Sequence, residues 1–220
     1  MTRQIIHHQF DDCEQINSPL GRKYKTPNGN LYPSVTTVLS VISSVHIEEW
    51  KKRVGEGVAK EISSKAAKNG TKLHEACELY LLNKQPTFDF TEVLALDMFK
   101  LIKPVIDGIH TVHAIESRLW SDRLQVAGSV DLICEFDGVP TIIDWKSSSR
   151  FKSKDEISSY FMQAACYSLM FFERTGVAAK KIKIVMATKD DGLLIFDENV
   201  SDWLPKFKKV REEFRSIKGF

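Results

Sequence analysis

The sequence AGSVDLICEFDGVPTIIDWKSS (residues 127–148) consists of two apolar runs separated by Asp137-Gly138. This dipeptide is typical of the two-residue turn of a β-hairpin. If Asp137 and Gly138 are the two loop residues, Phe136 pairs with Val139, and that pair fixes the partner of every other residue in the two runs. The stretch therefore predicts an antiparallel pair of strands in a single register.

Three charged residues interrupt these apolar runs. In the predicted register Asp131 lies opposite Asp144, and Ser129 lies opposite Lys146. Because side chains alternate along a strand, Asp131, Asp144 and Lys146 share one face. Directly opposed carboxylates have Cβ atoms about 4.5–5.5 Å apart and destabilise a strand pair unless a cation lies between them. A divalent ion with carboxylate ligands would remove this repulsion.

The alternative interpretation is a pair of surface carboxylates neutralised by nearby lysine or arginine. A three-residue turn or a bulge would also shift the register and move Asp131 to the other face. The neighbouring residues favour a central strand pair, in which unpaired charges are costly. These apolar neighbours are Val130, Leu132, Ile142, Ile143 and Trp145. The sequence therefore favours the metal site.

A lysine two residues after a metal-binding aspartate has a chemical use in phosphodiester hydrolysis. A bound metal ion lowers the pKa of a water molecule and polarises the phosphate. The Lys146 ammonium can orient that water, help to deprotonate it, or stabilise the charge that develops. The D-x-K spacing of Asp144 and Lys146 therefore indicates a metal-dependent phosphodiesterase.

The composition is that of an ordinary globular protein of 220 residues, with 43% hydrophobic and 27% charged residues. A chain of this length is expected to form one domain. No apolar run approaches the roughly 20 residues of a membrane helix, and the start of the chain has no apolar signal core. These features predict an intracellular protein that does not enter a membrane.

Cysteines and basic residues narrow the function classes further. The four cysteines lack the close pairs of a zinc or iron–sulfur site, so free thiols are expected. A net charge of +2 excludes a generic polycation. Basic clusters nevertheless occur, and several of them around one site would suit a phosphate backbone. They lie at 21–25, 50–53, 65–72, 151–154, 180–183 and 206–211.

The N-terminal part of the chain is mostly helical in pattern. Residues 1–30 are expected to be irregular. Pro33-Ser34 predicts a helix start, and a helical pattern continues from residue 47 to residue 68. Asn69-Gly70 then predicts a break, after which Thr71 is expected to cap a second helix.

Strands dominate from about residue 111. Residues 91–108 predict one more amphipathic helix, and the order that follows is β-β-β-α-β-β-α, with helices at 155–176 and about 199–217. This order predicts an α/β fold (mixed α+β) with a central mixed sheet flanked by helices. An N-terminal helical layer, residues 1–110, is expected to pack on a core of residues 111–220 as effectively one domain.

The opening stretch resembles the core of the PD-(D/E)XK nucleases, in the branch typified by the RecB nuclease domain. The pattern G-x-x-D, a hairpin, and then I-x-D-x-K-[ST] is matched by Gly128, Asp131, Ile142, Asp144, Lys146 and Ser147. Two further blocks agree in order and spacing. GTKLHEACE (70–78) resembles the upstream G-x-x-x-H helix, and QAACY (163–167) resembles the Q-x-x-x-Y helix. The resemblance implies a restriction-endonuclease-like core.

The N-terminal segments extend the resemblance to most of the chain. YPSVTTVLS (32–40) and EEWKKR (48–53) resemble the mitochondrial genome maintenance exonucleases and their phage-encoded relatives. These enzymes act on single-stranded DNA with free ends. The resemblance therefore implies a metal-dependent exonuclease of single-stranded DNA.

The resemblance also implies the metal ligands. Mg²⁺ or Mn²⁺ would be bound by His74, Asp131 and Asp144, with the backbone carbonyl of Trp145 completing the protein ligands. Lys146 would be the catalytic lysine, acting with the two aspartates.

Two further polar positions could serve catalysis. Glu116, on the strand before Asp131, could reach a second metal ion or its waters; the alternative is a solvated glutamate or a structural ion pair. Gln163 and Tyr167 share a helix face because they are four residues apart. The family places both against the site and the substrate strand, although Tyr167 could also be plain core.

Several residues are candidates for contacts with the substrate strand. Ser34, Thr36 and Thr37 offer hydroxyls at a helix start, which suits a phosphate contact; the alternative is simple capping. The other substrate-binding candidates are Lys72, Ser147, Ser148 and Lys152. Glu78, one turn after His74, could hold the orientation of the histidine or lie on the surface.

The expected activity is hydrolysis of single-stranded DNA from free ends, in DNA replication, recombination or repair. The alternatives are a flap or structure-specific endonuclease, a catalytically silent nucleic-acid-binding module, and a phosphoesterase of small molecules. Some members of the wider branch carry an iron–sulfur cluster, but the cysteine spacing here does not match, so none is expected. The expected protein is a monomer in a bacterial or phage-infected cytoplasm rather than in mitochondria.

Overall fold

Short strands and two long helices make up the N-terminal part of the structure. The computed structural model describes residues 3–9, 11–18 and 21–219, with the side chains of residues 45 and 46 excepted. The elements are β1 (Gln4–Ile5), β2 (Glu14–Ser18), β3 (Gly21–Lys25), β4 (Leu31–Pro33), α1 (Val35–Val54) and α2 (Glu56–Leu81). β2, β3 and β4 form a small antiparallel sheet.

The rest of the chain supplies the main sheet and three more helices. Its elements are α3 (Val93–Asp107), β5 (Thr111–Ser121), β6 (Val126–Phe136), β7 (Val139–Ser148), α4 (Ser158–Thr175), β8 (Lys181–Thr188), β9 (Leu193–Asn199) and α5 (Val200–Lys218). The sheet order is β1-β5-β6-β7-β8-β9. The β1–β5 and β7–β8 pairs are parallel and the other pairs are antiparallel. The predicted mixed sheet is therefore confirmed.

Helices cover both faces of this sheet. One apolar cluster joins α1, α4 and α5 to one face, and a second joins α2 and α3 to the other. The connection from β7 to β8 passes through α4, as parallel neighbours require a long crossover. None of the helices in the described part of the chain is both long and apolar enough to cross a membrane.

The β6–β7 hairpin forms in the predicted register. Phe136 pairs with Val139, and the ladder continues to Leu132 and Ile143. Asp137 and Gly138 have φ values of 51° and 75°, which a type I′ turn requires. The turn chemistry therefore sets the register of the two central strands.

The same ladder ends before the charged residues. The predicted pairs Asp131–Asp144 and Ser129–Lys146 are absent from it, although the structure describes both strands in full. Instead, the Asp131 Oδ2 atom accepts a hydrogen bond from the Trp145 backbone N–H at 2.9 Å. A carboxylate thus takes the place of a backbone acceptor, and the two strands separate where the charges begin.

β5 and β6 also change faces at Glu116 and Asp131. Val130 packs in the cluster beneath α4, whereas Leu132 packs in the cluster beneath α2 and α3. Strict alternation would place both on one face. Glu116 has a φ of 43°, a left-handed conformation that costs energy in a non-glycine residue and is concentrated at functional sites. This irregularity brings Glu116 and Asp131 to the same cavity.

The prediction that residues 1–30 are irregular is wrong. β1 adds a parallel strand to the edge of the main sheet, and β2 and β3 belong to the small sheet. Residues 1, 2, 10, 19 and 20 lie outside the described part of the chain. β2 is largely exposed, so it lacks the alternation of apolar residues that predicts a strand.

The predicted helix break at Asn69-Gly70 is also wrong. α2 continues through both residues, and the break lies instead at Gly55, whose φ is 86°. One glycine inside a helix costs only about 1 kcal/mol relative to alanine, and the buried residues that follow outweigh it. Thr71 is therefore not a cap, and His74 lies inside the helix rather than in its first turn.

The four cysteines are buried in three separate apolar clusters. Burial raises the pKa of Cys13 to about 11 and of Cys134 to about 12, and it raises the pKa of Cys77 and Cys166 as well. Because the thiolate is the reactive form, the native thiols should be inert.

We therefore expect a chromogenic disulfide reagent to modify none of the four thiols rapidly at about pH 8 in the native protein. The chain unfolded in guanidinium serves as the control and should show all four thiols. Rapid reaction of one thiol in the native protein would contradict the burial of that cysteine.

Candidate active site

A cavity of about 480 Å³ opens where α2, α4 and the small sheet meet β5, β6 and β7. One side is acidic and carries Glu75, Glu78, Glu116 and Asp131 around His74. The cavity wall also carries Arg22, Ser34, Thr36 and Gln163, and Lys146 lies next to the carboxylates. These acidic and basic groups together suit a ligand that contains both cations and phosphates.

His74, Glu116 and Asp131 converge on one point of the acidic side. The His74 Nδ1 atom lies 3.6 Å from Glu116 Oε1 and 3.5 Å from Asp131 Oδ2. One ligand atom from each residue lies within 4.8 Å of the other two. Two carboxylates and an imidazole nitrogen are a donor set that suits a divalent cation.

The carboxylates also act on the protonation of the histidine. Burial alone would lower the pKa of His74, but the charges of Asp131 and Glu116 outweigh burial and raise it. Without a metal ion, the two carboxylates therefore favour the protonated form of His74. A metal ion would take over that role, because a ligating imidazole must be neutral.

Asp144 lies beside this group rather than within it. Only 1% of its surface is exposed, and burial raises its pKa to about 6 although Lys146 opposes the change. Its Oδ2 atom is 2.6 Å from Lys146 Nζ. Among the described residues, neither carboxylate oxygen finds a well-oriented hydrogen-bond donor. The Oδ1 atom thus has no partner in the described part of the chain, and Oδ2 has only the Lys146 ammonium, so this buried carboxylate can still accept a metal cation.

Lys146 carries its positive charge into the cavity. Burial opposes that charge, but Asp144 and Asp131 outweigh burial and raise the pKa of the lysine. Its Nζ atom also lies 4.9 Å from the ring centroid of Tyr160, a cation–π distance. The ammonium is thus held between the Asp144 carboxylate and an aromatic face.

Gln163 and Tyr167 share the predicted face of α4 and reach the cavity. The Gln163 side-chain amide donates a hydrogen bond to the Tyr167 hydroxyl at 3.1 Å. Tyr167 is buried and packs against Gly128, where an added Cβ would lie 2.9 Å from the tyrosine ring and hydroxyl. The glycine of the G-x-x-D pattern therefore makes room for Tyr167.

Gly128→Ala is expected to destabilise the protein by about 1–3 kcal/mol, the usual cost of overpacking a core. Because Tyr167 would have to move, Gln163 would move with it and cleavage should fall. Denaturant unfolding measures the stability. The matched control is Gly57→Ala in α2, where nothing lies within 4 Å of an added Cβ. That variant should be neutral or more stable by up to about 1 kcal/mol. Equal stability of the two variants would contradict the contact with Tyr167.

The hydroxyl groups of the α1 start mainly organise the chain. Ser34 is the N-cap, and its Oγ accepts a hydrogen bond from the Thr37 N–H at 2.9 Å. The Thr37 hydroxyl bonds to both backbone groups of Arg22, each at 3.1 Å. Ser34 and Thr36 line the cavity, but Thr37 is not among its lining residues. Ser34 thus caps α1 and also lines the cavity, where its hydroxyl could contact a ligand.

Trp145, Ser147 and Ser148 are not part of the cavity wall. The Trp145 side chain belongs to the core beneath α2 and α3. The Ser147 hydroxyl lies beside Gly70, 3.6 Å from where a Cβ would be. The Ser148 hydroxyl bonds to the backbone of Arg150. In this structure both serines contact the protein itself.

Lys72 and Lys152 also lie outside the cavity wall. Lys72 forms ion pairs with Glu75 and Glu92, with N–O distances of 3.3 Å and 3.4 Å. The Lys152 Nζ donates a hydrogen bond to the Tyr160 hydroxyl at 3.4 Å. Part of the charge of Lys72 is therefore already balanced.

Sequence reasoning missed Arg22 and Tyr24, which enter the cavity wall from β3, and Tyr160, which faces Lys146. The basic cluster at 21–25 was the only signal for Arg22. Among the ion pairs of the described residues, Arg22 takes part in none. Burial raises the pKa of the neighbouring Tyr24 hydroxyl, and the Arg22 guanidinium opposes this rise. The guanidinium adds a second cation to the cavity wall, which also carries the Lys146 ammonium.

The sequence profile of the PD-(D/E)XK nuclease superfamily matches residues 48–218, almost the whole chain beyond the small sheet. The chain belongs to this superfamily. The family resemblance carried by the D-x-K hairpin is thereby confirmed. His74, Glu116, Asp131, Asp144 and Lys146 all lie within the matched residues.

Human mitochondrial genome maintenance exonuclease 1 is 30% identical over 141 residues, which cover 60% of this chain and 40% of the human protein. The mouse protein is 29% identical over 131 residues, covering 56% and 39%. The chain thus matches about 40% of the length of these relatives. A crystal structure of a candidate exonuclease from Eubacterium rectale aligns with a TM-score of 0.42 and 13% identity, covering 66% of this chain and 68% of that one.

Proposed function

We propose that this nuclease is a metal-dependent exonuclease that hydrolyses single-stranded DNA from free ends, in DNA replication, recombination or repair. The observation that supports this most directly is the convergence of His74, Glu116 and Asp131 beside the Asp144–Lys146 ion pair in one cavity. The names of the mammalian relatives, which are exonucleases, point to the same activity.

His74, Asp131 and Asp144 are the proposed ligands of Mg²⁺ or Mn²⁺, together with the Trp145 carbonyl, and Glu116 joins them on geometry. The ion would polarise the scissile phosphate and lower the pKa of a bound water. Asp144 is paired with Lys146 in this structure. To act as a ligand, its carboxylate would exchange the ammonium for the metal ion.

Lys146 is proposed to stabilise the negative charge that develops on the phosphate. Its neighbours Asp144 and Asp131 raise its pKa, so the Nζ atom is a hydrogen-bond donor rather than a base. The side-chain amide of Gln163 faces the same cavity and can hold a non-bridging oxygen. Arg22 and the hydroxyls of Ser34 and Thr36, which line the same cavity, can bind the adjacent phosphate.

The proposed partner is a DNA end or an unpaired strand, and the proposed unit is a monomer in which residues 1–110 pack on a core of residues 111–220. The buried free thiols suit an intracellular, reducing compartment.

The test uses end-labelled linear and closed circular single-stranded DNA, each with Mg²⁺, with Mn²⁺ and with EDTA. Metal-dependent loss of the linear DNA alone is the expected result. Lys146→Ala should abolish the loss, whereas Lys180→Ala should not, because Lys180 is exposed, precedes β8 and is not part of the cavity wall. Cutting of the circle would favour the endonuclease alternative. DNA binding without cleavage under any condition would indicate a silent binding module.

A further inference from the structure

Phe90 is the most exposed large apolar side chain in the described part of the chain, with 91% of its surface accessible. It lies in the connection between α2 and α3. Exposed apolar residues are common on proteins, so exposure alone means little. The surrounding turn, however, is held in one conformation by hydrogen bonds.

The turn that carries Phe90 is closed by its own side chains. The Asp89 Oδ1 atom accepts hydrogen bonds from the N–H and the hydroxyl of Thr91, both at 2.6 Å. The Glu92 Oε2 atom accepts the Asp89 N–H at 3.1 Å. Phe90 therefore projects from an ordered turn, so the backbone that carries the ring loses little conformational entropy on binding.

The same turn is fixed to the helix that carries His74. Lys68 Nζ donates to the Thr91 hydroxyl at 3.4 Å. Lys72 Nζ lies 3.4 Å from Glu92 Oε2 and 3.3 Å from Glu75 Oε2, and Glu75 lines the cavity. Contacts through Lys68 and Lys72 thus connect the Phe90 turn to Glu75 in the wall of the cavity.

We propose that Phe90 is a stacking platform for an unpaired nucleobase of the substrate strand, next to the cavity that holds the scissile phosphate. This inference rests on the proposed function and deepens it. The cavity has polar groups for phosphates, but its aromatic residues Tyr24 and Tyr167 are 0% and 2% exposed. Neither offers a face to a base. Phe90 offers an exposed ring, and the next residue, Thr91, is in contact with the Lys68 ammonium, so the turn supplies both contacts that single strands need.

Stacking on Phe90 would also contribute to the preference for single strands. A base inside a duplex has both faces covered by its neighbours, so it cannot stack on a protein ring without leaving the helix. An unpaired base has a free face. The turn thus selects for unpaired DNA before the phosphate reaches the site.

The test measures binding of single-stranded oligonucleotides that carry 2-aminopurine at successive positions, in EDTA so that no cleavage occurs. Stacking quenches this fluorophore. Phe90→Ala should weaken binding about 5-fold to 150-fold and restore fluorescence at one position. Phe90→Trp should keep both the affinity and the quenching. The salt dependence of binding should not change in Phe90→Ala, because no phosphate contact is lost.

Phe172→Ala is the matched control, because Phe172 is also exposed, at 45%, and lies beside Lys181, at the far end of the sheet from Lys146. It should bind like the parent. Parent affinity and unchanged fluorescence in Phe90→Ala, or an equal loss in Phe172→Ala, would overturn the inference while the parent still cleaves DNA. A parent that neither binds nor cleaves single-stranded DNA would overturn both the inference and the proposed function.

Discussion

Lys146→Met is expected to lower the rate of DNA cleavage by about 100-fold to 1,000-fold, the usual effect of removing one donor to a developing charge. Methionine keeps the length of the side chain, so the cavity should keep its shape. It removes the ammonium that lies 2.6 Å from Asp144 and faces the cavity. Initial rates of nucleotide release from end-labelled single-stranded DNA, with Mg²⁺ or Mn²⁺, measure the effect.

The same variant should be less stable without metal. Removing one partner of a buried ion pair typically costs about 3–5 kcal/mol, because the other charge stays buried. Asp144 can escape part of this cost by taking up a proton. Burial already raises its pKa to about 6 in the parent, where Lys146 holds it down, so loss of the lysine should raise it further.

This shift predicts the sign of a pH effect. A carboxyl whose pKa is higher in the folded state than in the unfolded state binds protons preferentially when folded, so falling pH favours folding. The stability deficit of Lys146→Met should therefore shrink between about pH 8 and about pH 6. Denaturant unfolding of parent and variant in EDTA at both pH values measures it.

A second substitution separates stability from catalysis. In the Lys146→Met background, Asp144→Asn removes the buried charge and should restore stability at the higher pH, but not cleavage. If Lys146→Met cleaves at the parent rate, Lys146 is not the catalytic lysine. A stability deficit that grows towards lower pH would contradict the role of Asp144.

The turn chemistry of Asp137-Gly138 explains why the register of the central hairpin was predictable from sequence. Both residues tolerate positive φ, and two such residues in a row favour a two-residue type I′ turn, which fixes the register of the strands. The position of Asp131 was harder to predict, because face assignments assume unbroken alternation. The left-handed conformation of Glu116 interrupts the alternation in the neighbouring strand. The sequence gives no signal of this interruption, because a glutamate rarely adopts that conformation.

The part of the cavity wall that β3 supplies could not be predicted, for a different reason. Arg22 and Tyr24 reach it from a small, mostly exposed sheet that is more than a hundred residues from Lys146 along the chain. Periodicity reports burial within one element, not contacts between distant ones. His74 was predictable as part of a motif, but its position inside α2 was not. A glycine such as Gly70 often ends a helix, whereas α2 continues through it.

Asp131→Asn is expected to reduce metal-dependent stabilisation strongly and to abolish cleavage while leaving the fold intact. The Asp131 Oδ2 atom lies 3.5 Å from His74 Nδ1 and accepts the Trp145 N–H at 2.9 Å. An asparagine oxygen can still accept that bond, so the separation of β6 and β7 should persist. The substitution removes only the negative charge, and hard divalent cations depend on carboxylates for affinity.

The size of the effect follows from linkage. A ligand at about 100 times its dissociation constant stabilises the folded state by about 2.7 kcal/mol. Replacing a residue that merely supports a metal ligand already costs about 10-fold to 100-fold in affinity, so loss of a ligand charge should cost at least as much. At the same Mn²⁺ concentration, the variant should then gain about 1.4 kcal/mol after a roughly 10-fold loss of affinity and only about 0.4 kcal/mol after a roughly 100-fold loss. Thermal unfolding with and without Mn²⁺ measures both values.

Asp137→Asn is the matched control, because it makes the same chemical change six residues later, in the turn that follows β6. Asparagine accepts the left-handed conformation that Asp137 adopts, with a φ of 51°, so stability, metal response and cleavage should all match the parent. If Mn²⁺ stabilises Asp131→Asn as much as the parent, the ion does not bind at His74, Glu116 and Asp131. The buried Asp144 carboxylate, whose Oδ1 atom has no hydrogen-bond donor among the described residues, would then mark the site, and Asp144→Asn should remove the response instead.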